Sequence, residues 1–496
     1  MCKQQYISDI ININDINTWN SEEIVFIEAP TGRGKSHFIK HTLSEYDKSK
    51  KILIIVNRTI IKNQSGKELL REDTDNITIT TYQNIANKII HKEIIEFGSY
   101  DYIICDEAHH FCEESEFCHE GDVCFNWVMN QKCIKIFMTA TANFIKPYLQ
   151  DELNLKLKHY HIPNTYDFIE QLYFYEDDNV IKKLLTDLPP NEKAIYFASA
   201  KKAHELSDLL DSCVFYCSKN NYTYSQYSDS KVCEYIEENE KFEEQILCTT
   251  KVMDCGVNIK DDQVKHLIID IADITSVIQC IGRKRIQGNE KIKIYIKDKK
   301  GNAISRKLEN IKNKLYYANV LKNYGLIKLI EENAHKNTYG NLIYDIINLS
   351  TLQMDKKIND LMYYTYSKNE EIYNKIMQDT KNGFKLKLLE RMCVDMDYKY
   401  LEDELDALTL EDLLNKLVGT KMFNEEQDKF KEFLTKELFN TAKTNHGSIG
   451  LKTINGYFEE NDIPFILESK RSSERINGKI KSFTYWIICK KIYEIK

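Results

Sequence analysis

Residues 29–36 read Ala29-Pro30-Thr31-Gly32-Arg33-Gly34-Lys35-Ser36, directly after the apolar run Ile24-Val25-Phe26-Ile27. This order predicts a buried strand, a glycine-rich loop and a helix that begins at Lys35. Such a loop turns its backbone N–H groups inward around phosphate oxygens, and the helix N-terminus adds positive potential. Ala29 stands where the usual pattern begins with glycine. The predicted phosphate-binding residues are Thr31, Gly32, Arg33, Gly34, Lys35 and Ser36.

A second apolar run, Tyr102-Ile103-Ile104-Cys105, leads into Asp106-Glu107-Ala108-His109. Open α/β sheets bind their ligands at the carboxyl ends of the strands, where these two carboxylates would lie. Lys35 can reach the outer phosphates of ATP, while Ser36 and Asp106 can hold Mg²⁺. Glu107 would then orient or deprotonate the attacking water. The two motifs together predict a site that hydrolyses a nucleotide.

The first 300 residues alternate short apolar strands with amphipathic helical stretches, which is the pattern of parallel βαβ units. A break near residues 150–166 divides the strands into two series. The pattern therefore favours an α/β fold with two tandem doubly wound domains, at residues 1–160 and 161–300, over one sheet of eleven strands. The candidate strands are 24–28, 52–56, 77–80, 102–105, 134–138, 171–175, 194–198, 213–216, 245–249, 266–270 and 291–295.

The pattern changes from about residue 301, where apolar residues recur at helical spacing and strand signals nearly vanish. Residues 301–440 are predicted to form a helical domain, in which the pairs Tyr316-Tyr317 and Tyr363-Tyr364 serve packing rather than base stacking. In residues 441–496, a helix at about 449–460 and two apolar strands around a basic turn resemble a winged helix. A solvated charged loop is the alternative interpretation of that turn. Its basic residues are Lys470, Arg471, Arg475, Lys479 and Lys481.

The composition is that of a globular protein, with 42% hydrophobic and 29% charged residues. No segment has the roughly 20 apolar residues that cross a bilayer, and the first residues lack the apolar core of a signal peptide. We therefore expect a cytoplasmic protein without membrane contact. The net charge is −8, so any nucleic-acid binding must come from local surfaces. The 14 cysteines are expected to be mostly reduced thiols.

One cluster of metal-ligand residue types follows the second motif. Its spacing fits no common zinc module, so a variable loop is the preferred interpretation and a metal site the alternative. The cluster comprises His109, His110, Cys112, Cys118, His119 and Cys124.

The order of further motifs resembles superfamily-2 helicases of the Asp-Glu-x-His type over about residues 20–300. Val56-Asn57-Arg58 and Thr80-Thr81-Tyr82-Gln83 resemble the motifs that contact the backbone of the tracking strand. The resemblance implies two RecA-like phosphate-loop domains in tandem. It also implies nucleic-acid contacts by Arg58, Thr81 and Gln83.

Thr139-Ala140-Thr141 resembles the family motif that couples hydrolysis to domain movement. By the same resemblance, Thr139, Thr141 and His109 are expected to act in coupling, with His109 contacting the second sheet at Gln279.

Two motifs of the second sheet complete the resemblance. Thr250-Lys251-Val252-Met253-Asp254-Cys255-Gly256-Val257-Asn258 implies that Thr250 contacts nucleic acid and that Asp254 and Gly256 line the nucleotide cleft. Gln279-Cys280-Ile281-Gly282-Arg283-Lys284-Arg285 implies that Gln279, Arg283 and Arg285 act beside Glu107 in catalysis. The commonest form has its second arginine one residue later, at the position of Ile286. No clear adenine-reading glutamine motif precedes the phosphate loop, so base specificity stays open.

The resemblance implies an ATP-dependent nucleic-acid helicase or translocase that uses ATP and Mg²⁺. DNA is preferred over RNA as the track, because the basic C-terminal module resembles duplex-DNA binders. An alternative is an ATP-switched DNA-binding protein of replication or phage defence that separates no strands. A helicase–nuclease with Asp462 and Glu468 as its acidic residues is a third hypothesis.

Overall fold

The computed structural model describes residues 5–30, 32–56, 75–91, 99–112, 118–218, 221–250, 259–333, 339, 342–348, 353–393, 396–424, 426–428, 430–431, 434, 450–461, 463–476 and 479–491. The chain divides into two compact units. The larger unit comprises Met1–Glu176 and Ile181–Tyr398, and the smaller comprises Asp177–Val180 and Lys399–Lys496. Two parallel sheets lie in the larger unit.

The first sheet has six parallel strands in the spatial order β3-β2-β4-β5-β1-β6. Its central strands are continuous apolar runs because both faces are covered. In β1, for example, Phe26 packs into one hydrophobic cluster, whereas Val25 and Ile27 pack into the other. The strands are β1 (Ile24–Glu28), β2 (Ile52–Val56), β3 (Ile77–Thr81), β4 (Tyr102–Asp106), β5 (Ile134–Thr139) and β6 (Leu157–His161).

Six parallel strands of the second sheet run in the order β7-β12-β11-β8-β10-β9. β8 and β11 lie at its centre and bury almost all of their side chains. The strands are β7 (Ile169–Tyr175), β8 (Lys193–Phe197), β9 (Cys213–Tyr216), β10 (Ile246–Thr249), β11 (Val264–Ile269) and β12 (Ile292–Lys297).

Helices and short helical turns accompany both sheets. The helix after the phosphate loop contains a π-helical stretch, Phe38–Leu43. The other segments are Ile7–Ile10, Ile13–Asn17, Lys35–His37, Ser44–Tyr46, Tyr82–Ile90, Ala108–Cys112, Cys118–Met129, Ile145–Pro147, Tyr148–Glu152, Asp178–Thr186, Ala200–Ser207, Ser225–Tyr227, Ser230–Asn239 and Ile274–Arg283.

The region after the second sheet is helical but also contains an antiparallel hairpin, β13 (Ile343–Asn348) with β14 (Gln353–Ile358). This hairpin corrects the expectation that strands nearly vanish after residue 301. It is fixed to the first sheet's domain by the buried carboxylate of Asp122, which accepts hydrogen bonds from Tyr344 Oη and, at 2.8 Å, from Lys357 Nζ. The helical segments of this region are Asn302–Asn333, which is broken into two helices by non-helical backbone at Gly325 (φ +82°), Asp360–Gln378 and Gly383–Met392.

The helix Asp360–Gln378, which we call the bridging helix, contacts the domains of both sheets. Near its start, Tyr364 packs against Tyr148 beside the first sheet, with ring centroids 5.4 Å apart. Near its end, Tyr373 Oη donates a hydrogen bond of 3.1 Å to the carbonyl of Ala272, next to the second sheet's helix Ile274–Arg283. Tyr316 is 53% exposed, and its ring packs edge-on against Tyr317 with ring centroids 5.3 Å apart. The preference for packing over base stacking at this pair stays a prediction.

The smaller unit contains the helices Leu401–Leu417 and Leu451–Glu460 and a long hairpin, β16 (Phe465–Ile476) with β17 (Lys479–Lys490). A short strand, β15 (Tyr398–Tyr400), precedes it. Asn455 attaches helix to hairpin, because its side chain accepts from Leu467 N at 2.8 Å and donates to Leu467 O at 2.9 Å. The helix followed by a hairpin agrees with the predicted order of elements, while its classification as a winged helix stays a prediction.

The tandem doubly wound fold is confirmed, and all eleven predicted strands are present. The structure adds β6, which lies inside the break predicted at residues 150–166. The boundaries proposed for four domains stay predictions. Across the residues that the structure describes, no helix combines the length and apolar character needed to span a bilayer.

Candidate nucleotide-binding and catalytic site

The phosphate loop follows β1 and has the backbone that its glycines permit. Gly32 and Gly34 both have a φ of +80°, in the left-handed region that favours glycine. Gly34 O accepts from Phe38 N at 2.8 Å, so the helix starts immediately after the loop. Ala29 is fully buried, and its N–H donates to Thr139 O at 2.9 Å. The alanine thus lies directly after β1, where it is packed in the core.

Two segments outside the motif hold the loop, and the sequence patterns indicated neither. Ile7 N donates to Arg33 O at 3.0 Å, and the Tyr6 ring lies beside Gly34. The guanidinium of Arg33 donates to Thr165 Oγ1 at 3.1 Å. The phosphate loop is therefore attached both to the N-terminal helix and to the connection between the sheets.

The two motifs of the first sheet meet directly. Lys35 Nζ lies 3.4 Å from Glu107 Oε1, and the side chains of Lys35 and Glu107 are only 11% and 19% exposed. Ser36 lies on the exposed side of the same helical turn. The predicted lysine and carboxylate are thus brought together at the carboxyl edge of the sheet.

Two carboxyls with opposite pKa shifts lie side by side at the end of β4. Burial raises the pKa of Asp106 above its ordinary value, and the charge of Glu107 adds to this shift. Burial acts in the same direction on Glu107, but the charges of Lys35, His109 and Arg283 outweigh it and lower the pKa of Glu107. Glu107 is the carboxylate that stays ionised, whereas ionisation of Asp106 would be favoured by a further cation.

Glu107 has an unusual backbone conformation for its residue type. Its φ is +50°, which costs a non-glycine residue roughly 1–3 kcal/mol and persists only where the surroundings impose it. Here Tyr82 Oη donates to Asp106 O at 2.8 Å, and Glu107 N donates to Asp106 Oδ1 at 3.1 Å. His110 N donates to Glu107 O at 3.0 Å. These bonds hold the strained turn on both sides of Glu107.

A hydrogen-bonded group connects this turn to the end of β5. His109 Nδ1 lies 2.9 Å from Thr139 Oγ1 and 3.4 Å from Glu107 Oε2. Thr139 Oγ1 accepts from Thr141 N at 3.0 Å and donates to Thr141 O at 3.1 Å. The structure therefore brings together His109, Thr139 and Thr141, the residues predicted to act in coupling. The predicted contact between His109 and Gln279 stays a prediction.

The second sheet contributes two arginines. Arg283, the last residue of the helix Ile274–Arg283, is 8% exposed, and its charge acts on Glu107. Burial, together with the charge of Arg283, lowers the pKa of Arg285 to about 10, while the charge of Glu107 opposes this shift. Among the described residues, neither Arg283 Nε nor Arg285 Nη1 has a hydrogen-bond partner, although both atoms are buried. Both arginines therefore lie near enough to Glu107 for their charges and that of the carboxylate to influence one another.

The predicted nucleic-acid residues are only partly described. Thr81 is buried and its hydroxyl accepts from Asn84 N at 3.1 Å, so it caps the helix Tyr82–Ile90. Gln83 is half-buried on that helix, and Thr250 is buried just after β10. Four predicted site residues lie outside the described residues: Thr31, Arg58, Asp254 and Gly256.

The cysteine and histidine cluster is spread over different surroundings. His119 stacks on Tyr344 with ring centroids 4.2 Å apart, and Cys124 is fully buried in the hydrophobic cluster that contains Phe26. Within the described ranges, no group of three or more histidine, cysteine, aspartate or glutamate side chains could hold a metal ion. In the smaller unit, Glu468 pairs with Lys470 at 2.9 Å on the surface, while Asp462 lies outside the described residues.

Comparisons with known proteins agree with this arrangement of motifs. The family model of the type III restriction enzyme, res subunit, matches residues 59–144, which include Asp106 and Glu107. The ATP-dependent RNA helicase SUB2 of Pyricularia oryzae is 22% identical over 228 residues, covering 44% of this chain and 52% of that protein. The match therefore spans about half the length of this curated relative.

Solved helicase structures show a distant likeness. Mss116p bound to single-stranded RNA and AMP-PNP is 15% identical, with a TM-score of 0.44 over 77% of this chain and 85% of that chain. The DUF1998 helicase MrfA bound to DNA and AMPPNP is 15% identical, with a TM-score of 0.41 over 70% of this chain and 55% of that chain. The two parallel sheets, the order of the motifs and these sequence matches make the chain similar to the helicases of superfamily 2.

Proposed function

We propose that this protein is an ATP-dependent nucleic-acid helicase or translocase that hydrolyses ATP in the cleft between its two parallel-sheet domains. The observation that carries the proposal is the convergence on Glu107. Lys35 of the phosphate loop lies 3.4 Å from this carboxylate, and the charge of Arg283, from the other sheet, also acts on it. A site assembled from both sheets allows hydrolysis to be coupled to their relative movement.

ATP would bind with its phosphates at the loop formed by Gly32, Arg33 and Gly34. The backbone N–H groups of the loop and the start of the following helix favour an anion there, and Lys35 would neutralise the outer phosphates. Asp254 and Gly256 would line the same cleft from the second sheet. Phosphate binding at this loop would account for the left-handed backbone that both glycines adopt.

The donor set fits Mg²⁺, which commonly binds proteins through one or two oxygen side chains and takes its other ligands from phosphates and water. Ser36 and Asp106 would hold the ion, and the buried, crowded carboxyl of Asp106 is one whose ionisation a cation favours. The bound ion would supply charge neutralisation at the phosphates. Asp106 would keep its place through the hydrogen bond from Glu107 N.

Glu107 would orient the attacking water and accept its proton. Lys35 and Arg283 keep this carboxylate ionised, which is the form that a general base requires. Its left-handed backbone sets the direction of the side chain at the end of β4. Arg283 and Arg285 would stabilise the charge that develops on the γ-phosphate, a contribution of roughly 10³–10⁵ in rate for such arginines.

Coupling would pass through His109, Thr139 and Thr141. His109 contacts both Glu107 and Thr139. A movement of the Glu107 carboxylate would therefore be transmitted through His109 to Thr139 at the end of β5. Because Ala29 N bonds to Thr139 O, the same strand end also contacts the phosphate loop. Gln279, in the domain of the second sheet, would contact His109.

We further propose that DNA is the track. The hairpin of the smaller unit is a ribbon of two 12-residue strands, and a two-stranded ribbon fits the major groove of duplex DNA. Lys470 and Arg471 are exposed on β16, and the register places Arg475 opposite Ile480 and Lys481 opposite Glu474. Arg58, Thr81, Gln83 and Thr250 would grip the tracking strand on the larger unit.

The test is ATP hydrolysis with no nucleic acid, single-stranded DNA, duplex DNA or RNA, using Lys35→Ala as the blank. Stimulation by DNA above RNA is the expected result, together with displacement of one strand from a forked DNA duplex. Stimulation by RNA alone would overturn the choice of DNA. Turnover without displacement would favour the ATP-switched DNA-binding protein, and turnover no higher than the blank would overturn the proposal.

A further inference from the structure

Between the two arginines of the cleft lies a buried lysine, Lys284, that pairs with a buried carboxylate. The side chain of Lys284 is completely buried, and its Nζ donates to Glu290 Oε2 at 2.6 Å and to Arg285 O at 3.1 Å. The Glu290 side chain is itself only 5% exposed and also faces Lys265 at 3.5 Å. The proposed hydrolysis mechanism gives this buried pair no part.

The backbone around Lys284 is held in an extended form. Ile259 N donates to Arg283 O at 2.9 Å, and Arg285 N donates to Ile259 O at 2.8 Å. Ile259 thus forms a parallel β-bridge with Lys284 by bonding to the residues before and after it. Lys284 has φ −74° and ψ 112°. Lys284 is therefore a fixed point between Arg283, which ends the helix, and Arg285. Both arginines interact electrostatically with Glu107.

Glu290 is held in place by the turn that precedes it. Gln287 N donates to Glu290 Oε2 at 3.2 Å, and Glu290 N donates to Gln287 O at 3.1 Å. Gly288 supplies the left-handed backbone of this turn, with a φ of +57°. The turn therefore holds the Glu290 carboxylate in place independently of its contact with Lys284.

We propose that Glu290, acting through Lys284, is a positioning residue that sets Arg283 and Arg285 side by side toward Glu107. The inference rests on the proposed ATP hydrolysis and bears on the place where the sequence departs from the motif it resembles. The bridge to Ile259 and the anchored side chain of Lys284 fix the backbone that carries both guanidiniums. An arginine at 285 can therefore act beside Arg283, although the usual pattern has its second arginine at the following position.

Loss of Glu290 alone leaves the ammonium of Lys284 buried without its main counter-charge. Burial lowers the pKa of Lys284, while Glu290 opposes this shift. A lone buried charge of this kind is strongly unfavourable, so Lys284 would turn outward and rotate the two arginines out of position. A displacement of about 1 Å at such a site costs about 100-fold in rate.

Three variants separate positioning from stability. Glu290→Met removes the counter-charge and leaves Lys284 alone. The double variant Lys284→Met/Glu290→Met fills the same space with two apolar side chains, which keep residue 284 anchored inward. Asp298→Met is the matched control, because it removes the carboxylate that pairs with another buried lysine, Lys385, whose Nζ lies 3.3 Å from Asp298 and whose side chain is 3% exposed.

The readouts are kcat and KM for ATP and, independently of turnover, the ratio of the Kd values for ADP and AMP-PNP. Glu290→Met should lose about 100-fold in kcat with little change in KM, and should lose the parent's preference for the triphosphate analogue. The double variant should regain most of the parent's kcat. Asp298→Met should lower the unfolding midpoint yet keep kcat.

Parental kcat in folded Glu290→Met, a double variant as slow as the single one, or an equal loss in Asp298→Met would each overturn the inference. If the parent shows no turnover above Lys35→Ala, the proposed function fails separately. The ratio of Kd values then decides the positioning role by itself. Equal ratios in the parent and Glu290→Met would overturn it.

Discussion

Lys35 Nζ and Glu107 Oε1 lie 3.4 Å apart, although 72 positions separate them in the sequence. The contact exists because β1 and β4 are parallel strands of one sheet, with only β5 between them, and both end at the same edge. The charge of the lysine therefore lowers the pKa of the carboxylate at the site proposed for phosphate and water. Substitutions at this contact should affect chemistry more than folding.

Glu107→Gln should stop turnover while leaving ATP and nucleic acid bound. The amide keeps the size of the side chain but cannot accept a proton, a loss of about 10²–10⁴ in rate for a general base. The measurement combines single-turnover hydrolysis with the fluorescence anisotropy of a labelled strand. Normal turnover in this variant would contradict the water-orienting role. Glu152→Gln, on an exposed helix end, is the control.

Arg283→Ala should keep ATP affinity near that of the parent and lose about 10³-fold in kcat, because the contact strengthens as charge develops on the γ-phosphate. Nucleotide titration and steady-state kinetics measure the two quantities separately. The matched control is Arg391→Ala, whose guanidinium lies over the Phe144 ring, 5.8 Å from its centroid. Equal losses in binding and rate for Arg283→Ala would argue against a transition-state contact.

Gly34→Ala should weaken nucleotide binding because residue 34 has a φ of +80°. A side chain in this region costs about 1–2 kcal/mol, although the added Cβ would meet Tyr6 only at an ordinary 3.5 Å. Gly121→Ala is the opposite case, since Gly121 lies within the helix Cys118–Met129 and an added Cβ meets nothing within 4 Å. Thermal unfolding and nucleotide titration should show stabilisation for Gly121→Ala and weaker binding for Gly34→Ala. Unchanged affinity in Gly34→Ala would contradict the loop assignment.

His266 should make stability fall in acid. The ring is 4% exposed, with Nδ1 3.0 Å from Tyr295 Oη and Nε2 2.7 Å from Glu192 Oε2. Burial lowers the pKa of His266 from 6.5, despite the opposing effect of Glu192. In the interval below pH 6.5 the unfolded chain therefore binds more protons than the folded one. The stabilisation is present above that pH and is lost as the pH falls toward the folded-state pKa.

Unfolding midpoints at about pH 7.5 and about pH 5.5 measure the effect of His266. The drop in midpoint between these values should be smaller in His266→Gln than in the parent. His161→Gln, at an exposed position on β6, should retain the parental drop. An identical drop in all three proteins would contradict the assignment to His266.

The sequence predicted what depends on local pattern and on strand order. The apolar runs at 24–28 and 102–105 indicated buried parallel strands, and parallel strands bring their following loops to one edge. β6 was missed because Leu157–His161 is an edge strand with lysine and histidine side chains, and it shows no buried run. The hairpin β13–β14 was missed for the same reason, since Gln353–Ile358 is mainly polar.

The residues that hold the site in place were harder to predict than the residues at its centre. Lys35 and Glu107 belong to motifs, whereas Glu290 acts only through the turn that brings it back to Lys284. Tyr6 likewise reaches Gly34 only because the N-terminal helix folds onto the loop. Such contacts form only when separate segments fold against each other, and no periodic pattern in a single sequence indicates them.

The bridging helix, Asp360–Gln378, gives the two sheet domains a second attachment besides the connection near Thr165. Tyr364 fastens one end to the first domain, and Tyr373 fastens the other end to the second. Two domains joined by one connection could rotate relative to each other about any axis, whereas a second connection restricts the rotation to the axis that runs through both. The domain movement that would accompany the proposed ATP hydrolysis is therefore a rotation about this single axis.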